Sequence, residues 1–331
     1  MTFDYNNKNV LITGGAGFIG SNIAFYLQKN YPLCNITVFD KFQSEDKFPS
    51  GNYIALGHFK NLIGYTGKVI AGDINNSNDL SELKKQPWDC IFHQAAISDT
   101  TVVNQSLVIA TNTNTLQFFI ELSSANDAHL VYASSAGTYG NSLAPNKVEE
   151  GEMPENVYGF SKLMMDNITR SMLAKNPKLK ITGLRYFNVY GPLEFYKGKT
   201  ASMILQLGLQ ALSNNKVKLF KFGEQLRDFV FIDDVVQANI KSVNCKPGIY
   251  NVGYGRARSF NDIVNVLSDS LKMKIDVEYF DNPYTFYQNN TCADISETKN
   301  HINYNPEFSL EKGIAYYKDE IIRIHNILKS R

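Results

Sequence analysis

Short runs of apolar and β-branched residues recur along the first part of the chain, and the segments between them carry apolar residues three or four positions apart. The runs are typical of strands and the segments of helices, because side chains alternate along a strand and repeat about every 3.6 residues on a helix. The pattern predicts strands at 10–12, 36–39, 69–71, 91–92, 130–132 and 181–184, and helices over 21–29 and 79–85. Such alternation favours an α/β fold in which helices cover both faces of a parallel sheet.

The pattern becomes less regular beyond residue 190, where loops with Gly and Pro at 191–192, 246–248 and 282–283 separate shorter elements. The two patterns together predict a Rossmann-type doubly wound parallel sheet and a smaller C-terminal α/β substrate-binding domain. We expect the sheet domain to comprise residues 1–185 and about 228–253, and the smaller domain about 186–227 and 254–331. Open parallel sheets bind ligands at the carboxyl ends of their strands, so we expect the site between the two domains.

Charge and composition narrow the class of protein. The 33 Lys and Arg residues nearly balance 32 Asp and Glu residues, so no overall field attracts nucleic acid or an anionic membrane. The absence of a long apolar run and of a signal-peptide pattern predicts a cytoplasmic protein that does not span a membrane. The four cysteines lie far apart and lack zinc-ligand spacing, which predicts free buried thiols and no metal site: Cys34, Cys90, Cys245 and Cys292.

A glycine-rich stretch follows the first predicted strand directly. Its glycines at Gly14, Gly17 and Gly20 open the first predicted helix. Such a loop allows a tight turn and brings backbone N–H groups at the helix N-terminus close to an anion. Asp40 ends the second predicted strand, 20 residues beyond Gly20, where an acid accepts the ribose hydroxyls of a dinucleotide. The combination predicts dinucleotide binding, with a tight turn that has no ligand as the alternative.

The residues themselves leave the choice between NAD and NADP open. Asp40 argues for NAD, because its carboxylate would repel a 2′-phosphate. Lys41, Lys47 and Lys60 follow it, either as partners of a 2′-phosphate or as a solvated surface. Asp73 ends the third predicted strand, where it either contacts adenine or caps a turn.

Three polar residues suggest redox chemistry at an alcohol. Tyr158 and Lys162 are four positions apart and therefore share one face of a helix. A phenol is a weak base at neutral pH unless a nearby ammonium group stabilises the phenolate. Ser135 follows the fifth predicted strand and is suited to bind the hydroxyl that is oxidised. The glycine loop, the serine and the Tyr-Lys pair in this order predict a dehydrogenase-type site.

With these motifs, the chain resembles the extended short-chain dehydrogenase/reductase family over nearly its whole length. The strings at 98–101, 185–192 and 194–202 are similar to those of a branch of nucleotide-sugar epimerases that acts on heptoses. The strings at 227–230 and 233–235 are shared more widely among nucleotide-sugar epimerases and dehydratases. The resemblance implies an isomerase that oxidises and re-reduces one carbon of a nucleotide sugar, with bound NADP (NAD as the alternative). It also implies a homo-oligomer.

The same resemblance implies roles for individual residues. Tyr158 and Lys197 match the two proton acceptors, with Ser135 beside them, and Lys162 matches a cofactor-binding lysine. Lys47 and Lys60 match lysines on the phosphate side and favour NADP. Besides the three glycines, the cofactor is expected to contact Phe18, Ile19, Asp40, Lys41, Lys47, Lys60, Asp73, Ile74, Gln94, Ala95, Ala96, Ile97, Ser98, Asn112, Lys162 and Val189. The substrate is expected to contact Asn188, Lys199, Gln206, Phe220, Lys221, Phe222, Gly223, Arg227 and Tyr287.

Several positions depart from the family pattern. Lys199 stands where a small hydroxyl residue is usual, Gln206 where a His stands in some members, and Gln94 replaces an acid, so the fine substrate contacts stay open. Lys197 has a phosphate contact as its alternative role, and Arg227 either binds a diphosphate or forms a surface ion pair.

Two other functions remain as alternatives. A UDP-hexose 4-epimerase or a 4,6-dehydratase would use the same scaffold. Dehydratases carry an Asp-Glu pair after the post-strand Ser or Thr, whereas Ser135 is followed by Ala-Gly-Thr, so elimination is disfavoured. A dinucleotide-sensing module without catalysis would be expected to lose Tyr158 or Lys162, and both are present.

Overall fold

The computed structural model of the protein describes residues 3–281 and 290–330. Its strands are β1 Asn9–Thr13, β2 Asn35–Asp40, β3 Lys68–Ala71, β4 Cys90–His93, β5 His129–Ser135, β6 Ile181–Tyr186, β7 Asn188–Tyr190, β8 Lys216–Phe220, β9 Leu226–Phe231, β10 Gly248–Val252, β11 Ala257–Ser259 and β12 Asp276–Phe280. Its α-helices are α1 Phe18–Asn30, α2 Ser77–Leu83, α3 Gln105–Ile109, α4 Thr115–Ala125, α5 Val157–Lys175, α6 Met203–Asn214, α7 Ile232–Ser242, α8 Phe260–Leu271, α9 Ser296–Ile302 and α10 Leu310–Lys329.

Seven of the described strands form one parallel sheet in the order β10-β6-β5-β4-β1-β2-β3. The chain builds outward from β1 to β3, then returns to place β4 on the other side of β1. This reversal opens a crevice beyond the carboxyl ends of β1 and β4, where doubly wound sheets bind ligands. Every residue of β4 and of β6 is buried, as expected for parallel strands covered by helices on both faces. The predicted Rossmann-type α/β fold is confirmed.

The rest of the chain adds two small sheets, β11-β9-β7 and β12-β8. Helix α6 packs closely on α10, since a Cβ added at Gly208 would lie 2.9 Å from the Ile321 side chain. The segment 191–202 connects β7 to α6. Strand β10, which begins at residue 248, belongs again to the seven-stranded sheet. The domain boundaries given above stay a prediction.

All four cysteines are free, but the expectation that all are buried is wrong, because only Cys90, inside the sheet, is fully buried. The other three lie at element ends or in loops and retain partial solvent contact. Within 3–281 and 290–330, no helix is long and apolar enough to cross a membrane.

Candidate active site

A cavity of about 330 Å³ lies at the carboxyl ends of the main sheet. Most of the predicted cofactor and catalytic residues line it, which brings together positions from eight separate parts of the chain. The predicted residues in the lining are Gly14, Gly17, Phe18, Ile19, Gly20, Asp40, Lys41, Asp73, Ile74, Gln94, Ala95, Ala96, Ile97, Ser98, Ser135, Tyr158, Lys162, Val189 and Lys197. The lining does not include Lys47, Lys60, Asn112, Asn188, Lys199, Gln206, Phe220, Lys221, Phe222, Gly223 or Arg227, and Tyr287 lies outside the described residues.

The glycine loop fits closely against its surroundings. Gly14 has a φ of 67°, and a Cβ added there would lie 2.7 Å from the Ala95 backbone nitrogen. A Cβ at Gly20 would lie 2.3 Å from the Gly14 carbonyl oxygen. Side chains are therefore excluded at both positions. Gly17 caps the N-terminus of α1, and the first turn carries no acid that would repel an anion at this end of the helix.

Asp40 lies at the end of β2 with its carboxylate already in use. One oxygen accepts the Ala16 N–H at 2.9 Å and the other accepts the Phe42 N–H at 2.8 Å. Burial raises the pKa of Asp40, and backbone donors oppose that rise. The acid thus joins the glycine loop to the start of the segment 41–62, while it still lines the cavity.

Of the three predicted lysines, only Lys41 lines the cavity. Its ammonium group lies 2.9 Å from the Asp73 carboxylate. Burial of Asp73 would raise its pKa, but the Asn75 N–H and Lys41 outweigh burial and lower it. Lys47 instead lies 4.6 Å from the centre of the Tyr53 ring, and Lys60 is exposed in the short helix 59–62. Their predicted contact with a phosphate stays a prediction.

Asn112 does not line the cavity but supports a loop that does. Its side chain accepts the Ile97 N–H at 2.8 Å and donates to the Ile97 carbonyl at 2.9 Å and to the Ser161 hydroxyl at 3.0 Å. It thereby fixes the loop 94–98 against α5. Gln94, in the same loop, accepts the Tyr186 hydroxyl at 3.0 Å.

Helix α5 presents Tyr158 and Lys162 on one face, as predicted. The helix begins where the Asn156 side chain accepts the Gly159 N–H at 2.9 Å. Lys162 is 2% exposed and donates to the Ala133 carbonyl at 2.8 Å, which places its Nζ atom 5.9 Å from the centre of the Tyr158 ring. Burial lowers the pKa of Lys162 to about 8, and the Asp166 charge opposes this shift. A lysine in this range is suited to assist proton transfer near neutral pH.

Ser135 ends β5 beside the tyrosine. Its Oγ accepts the Gly137 N–H at 3.0 Å. Burial raises the pKa of Tyr158, and a side-chain hydrogen bond with Ser135 lowers it again. Ser135, Tyr158 and Lys162 therefore form the candidate proton-transfer group on the sheet side of the cavity.

Lys197 lines the same cavity from an irregular turn at 195–200. Its Nζ atom lies 5.4 Å from the centre of the Phe18 ring. Burial lowers the pKa of Lys197, while the charge of Glu194 raises it. A desolvated lysine of this kind is suited to donate or accept a proton.

Glu194 holds this turn in place, a role that the sequence analysis missed. Its fully buried carboxylate accepts the Gly191 N–H at 3.2 Å, the Ser202 N–H at 2.6 Å and the Ser202 hydroxyl at 2.8 Å. Glu194 lies in the string 194–202, which carries part of the family resemblance, but the local pattern of polar and apolar residues gave no sign of its burial.

A second group that the sequence analysis missed is the segment 54–57, which lines the cavity next to Asp40. A Cβ at Gly57 would lie 2.0 Å from an Asp40 carboxylate oxygen, so the segment packs directly on that acid. No periodic pattern marks these residues. Thr200 and Tyr186 also line the cavity without having been predicted.

The predicted substrate residues lie beyond the cavity lining. Arg227, 8% exposed on β9, donates to the Leu226 carbonyl at 2.9 Å. Gln206 donates to the carbonyls of Lys199 and Ala201 at 3.2 and 2.7 Å, so it braces the turn. The stretch 220–223 begins at the last residue of β8, and Asn188 begins β7, where it donates to the Asp228 carbonyl at 3.2 Å. Their contact with a substrate stays a prediction.

Comparison with known proteins agrees with this arrangement. The model of the NAD dependent epimerase/dehydratase family matches residues 10–253, which include the glycine loop and the Tyr-Lys pair. The chain belongs to this family. The chain is also 33% identical over 321 residues to ADP-L-glycero-D-manno-heptose-6-epimerase of Brachyspira hyodysenteriae, which covers 94% of this chain and 96% of that protein.

Solved structures of related proteins have the same fold. The crystal structure of Helicobacter pylori ADP-L-glycero-D-manno-heptose-6-epimerase is 50% identical, with a TM-score of 0.89, over 97% of this chain and 98% of that chain. UDP-N-acetylglucosamine 4-epimerase from Methanobrevibacter ruminantium is 27% identical, with a TM-score of 0.81, over 95% of this chain and 99% of that chain.

Proposed function

We propose that this chain is an ADP-glyceromanno-heptose 6-epimerase with bound NADP. It would convert ADP-D-glycero-D-manno-heptose to the L-glycero form by inverting C6. The observation that carries the proposal is that Tyr158 and Lys197, from two separate segments of the chain, line one cavity with the glycine loop. The 50% identity to the Helicobacter pylori 6-epimerase over nearly the whole chain supports this choice of sugar.

The residues of the cavity fit a nicotinamide dinucleotide. The glycine loop leaves no space for a side chain at Gly14 or Gly20, and the N-terminus of α1 opens towards the cavity. Asp40 stands where it would accept ribose hydroxyls. When bound, such a cofactor supplies hydride transfer in both directions.

The protein residues have the task of moving protons on both faces of the sugar carbon. Ser135 would orient the C6 hydroxyl while Tyr158 removes its proton, and the Lys162 ammonium would favour the phenolate. Inversion requires the sugar to turn before the hydrogen returns to C6. Lys197 would then donate or accept the proton in the second orientation, from the turn 195–200.

We further propose a preference for NADP over NAD. Both carboxylate oxygens of Asp40 already accept backbone N–H groups, which reduces their repulsion of a phosphate. Lys41 lies next to it in the cavity lining, where it would exchange its partner Asp73 for a 2′-phosphate. We also expect a homo-oligomer whose product serves lipopolysaccharide core synthesis, as the resemblance implies, and a cytoplasmic location, as the lack of a signal-peptide pattern predicts.

One experiment tests the substrate and the cofactor together. The purified protein is incubated with ADP-D-glycero-D-manno-heptose, and the C6 proton is followed by NMR, with UDP-glucose and UDP-N-acetylglucosamine in parallel. We expect conversion of the heptose alone, and release of NADP on denaturation. Turnover of a UDP-hexose with no change in the heptose would overturn the proposal in favour of a 4-epimerase.

A further inference from the structure

Two irregular segments that line the cavity are joined by a pair of rings just outside its lining. The rings of His58 and Tyr196 stack with their centres 3.8 Å apart and their planes 9° from parallel. His58 belongs to the segment 41–62 that follows β2, and Tyr196 belongs to the turn 195–200. The two residues are more than a hundred positions apart, so the stack is a tertiary contact.

The His58 side of the stack is tied to the glycine loop. The His58 N–H donates to the Ala16 carbonyl at 3.0 Å, and the Asn61 side chain donates to the same carbonyl at 3.1 Å. The His58 ring is held in turn by its Nδ1 atom, which accepts the Lys60 N–H at 3.1 Å. The ring therefore has a defined position above the loop expected to bind the pyrophosphate.

The Tyr196 side of the stack belongs to the turn that carries Lys197. Tyr196 directly precedes this lysine, and the backbone of the turn is held at its start by the buried Glu194. Both partner segments also line the cavity, the first through residues 54–57 and the second through Lys197 and Thr200. The stack thus joins two parts of one cavity wall that no regular element connects.

We infer that the His58–Tyr196 stack is a clasp that closes this wall over the bound cofactor and slows its release. The two residues act as positioning residues, because neither belongs to the proton-transfer group. The inference rests on the proposed cofactor binding and is independent of which sugar is the substrate. An enzyme that regenerates its cofactor in each cycle loses nothing by slow release, and a clasp would keep the cofactor in place between cycles.

The test is the rate at which bound NADPH leaves the holoenzyme, followed by its fluorescence after dilution into excess NADP. Tyr196→Leu removes one ring. His58→Asn removes the other but keeps an acceptor for the Lys60 N–H, since Asn is a favourable N-cap. Because each variant loses this aromatic pair, we expect NADPH to leave about three- to tenfold faster than from the wild type. The double variant should be no faster than the faster single variant, because both remove the same contact.

Two control variants separate the clasp from general loosening. Tyr196→Phe keeps the ring and should keep the slow release. Phe59→Ala removes a ring that also stacks on His58, at 4.9 Å, but this exposed ring lies within the same segment and joins nothing across the cavity. Its release rate should match that of the wild type.

The possible outcomes decide between the hypotheses. Unchanged release in both Tyr196→Leu and His58→Asn, or equal acceleration in Phe59→Ala, would overturn the clasp. If the wild-type protein binds no nicotinamide dinucleotide, the proposed function and the clasp both fail. If the wild-type protein converts the heptose but the NADPH release rate is the same in Tyr196→Leu and His58→Asn as in the wild type, only the clasp is overturned.

Discussion

The two sides of the cavity are built in different ways. The sheet side consists of the ends of β1, β4 and β5 and the first turns of α5, where backbone ladders and helical spacing set each position. The loop side consists of the segments 41–62 and 191–202, which are held by single long-range contacts such as the His58–Tyr196 stack. Tyr158 belongs to the first side and Lys197 to the second.

The sheet side is also supported by a buried ion pair between α5 and β6. Asp166, fully buried, accepts the Tyr132 and Ser134 hydroxyls at 2.8 and 2.9 Å and the Arg185 Nε at 2.8 Å. These bonds connect α5 to β5 and β6 directly behind the proton-transfer group. The loop side depends instead on Glu194, whose carboxylate accepts hydrogen bonds from Gly191 and Ser202 within the segment 191–202. The helix that carries Tyr158 is thus tied to two strands by buried bonds, whereas the position and pKa of Lys197 depend on few neighbours.

The largest effect is expected on the sheet side. Tyr158→Phe removes the proton acceptor but leaves the ring and its packing, so we expect turnover to fall at least about 10²-fold while NADP binding is retained. Steady-state conversion of the heptose and NADP titration measure the two quantities. Turnover close to that of the wild type would show that Tyr158 does not carry the proton.

A similar loss, of about 10²-fold in kcat, is expected for Lys197→Met on the loop side. The methionine keeps much of the side-chain volume and removes the charge. If Lys197 transfers the proton, saturating substrate should not restore kcat. If it only binds phosphate, KM should rise and kcat should recover at high substrate, which would contradict the two-base assignment.

A smaller effect is expected for the cofactor preference. Lys41→Ala should weaken NADP binding about tenfold and change NAD binding much less, because only the 2′-phosphate would use this charge. The double variant Lys47→Ala with Lys60→Ala tests the other two predicted lysines, and it should weaken NADP binding less than Lys41→Ala does, since neither residue lines the cavity. Equal losses for NADP and NAD in Lys41→Ala would mean that the lysine is a surface charge.

The smallest change in rate is expected for Glu194→Gln, which tests how the loop side sets its lysine. The Glu194 charge raises the pKa of Lys197, so removing it should lower that pKa and move the Lys197 limb of the kcat/KM–pH profile to lower pH. Glu320→Gln is the control, since Glu320 also bonds to this segment, accepting the Leu193 N–H at 3.2 Å. A shift of the same size in both variants would show that loosening of the turn is responsible.

The residues that could be predicted most directly are those whose positions follow from local spacing or from the end of a strand. Gly14 and Gly20 follow β1, Asp40 ends β2, and Tyr158 and Lys162 share a helix face, so each position follows from a short string. Lys197 was reached only through resemblance to a family. Asn112 was expected along the cofactor, whereas its side chain supports the loop 94–98 from behind.

The sequence by itself therefore determined the α/β fold, the glycine loop and the sheet side of the site, because periodicity and strand ends are local properties of the chain. Tertiary structure alone decided which distant segments complete the cavity. The contact of Gly57 with Asp40, the burial of Glu194 and the stack of His58 on Tyr196 join positions with no shared pattern. Such contacts depend on the packing of irregular segments against the finished sheet, and no local spacing encodes them.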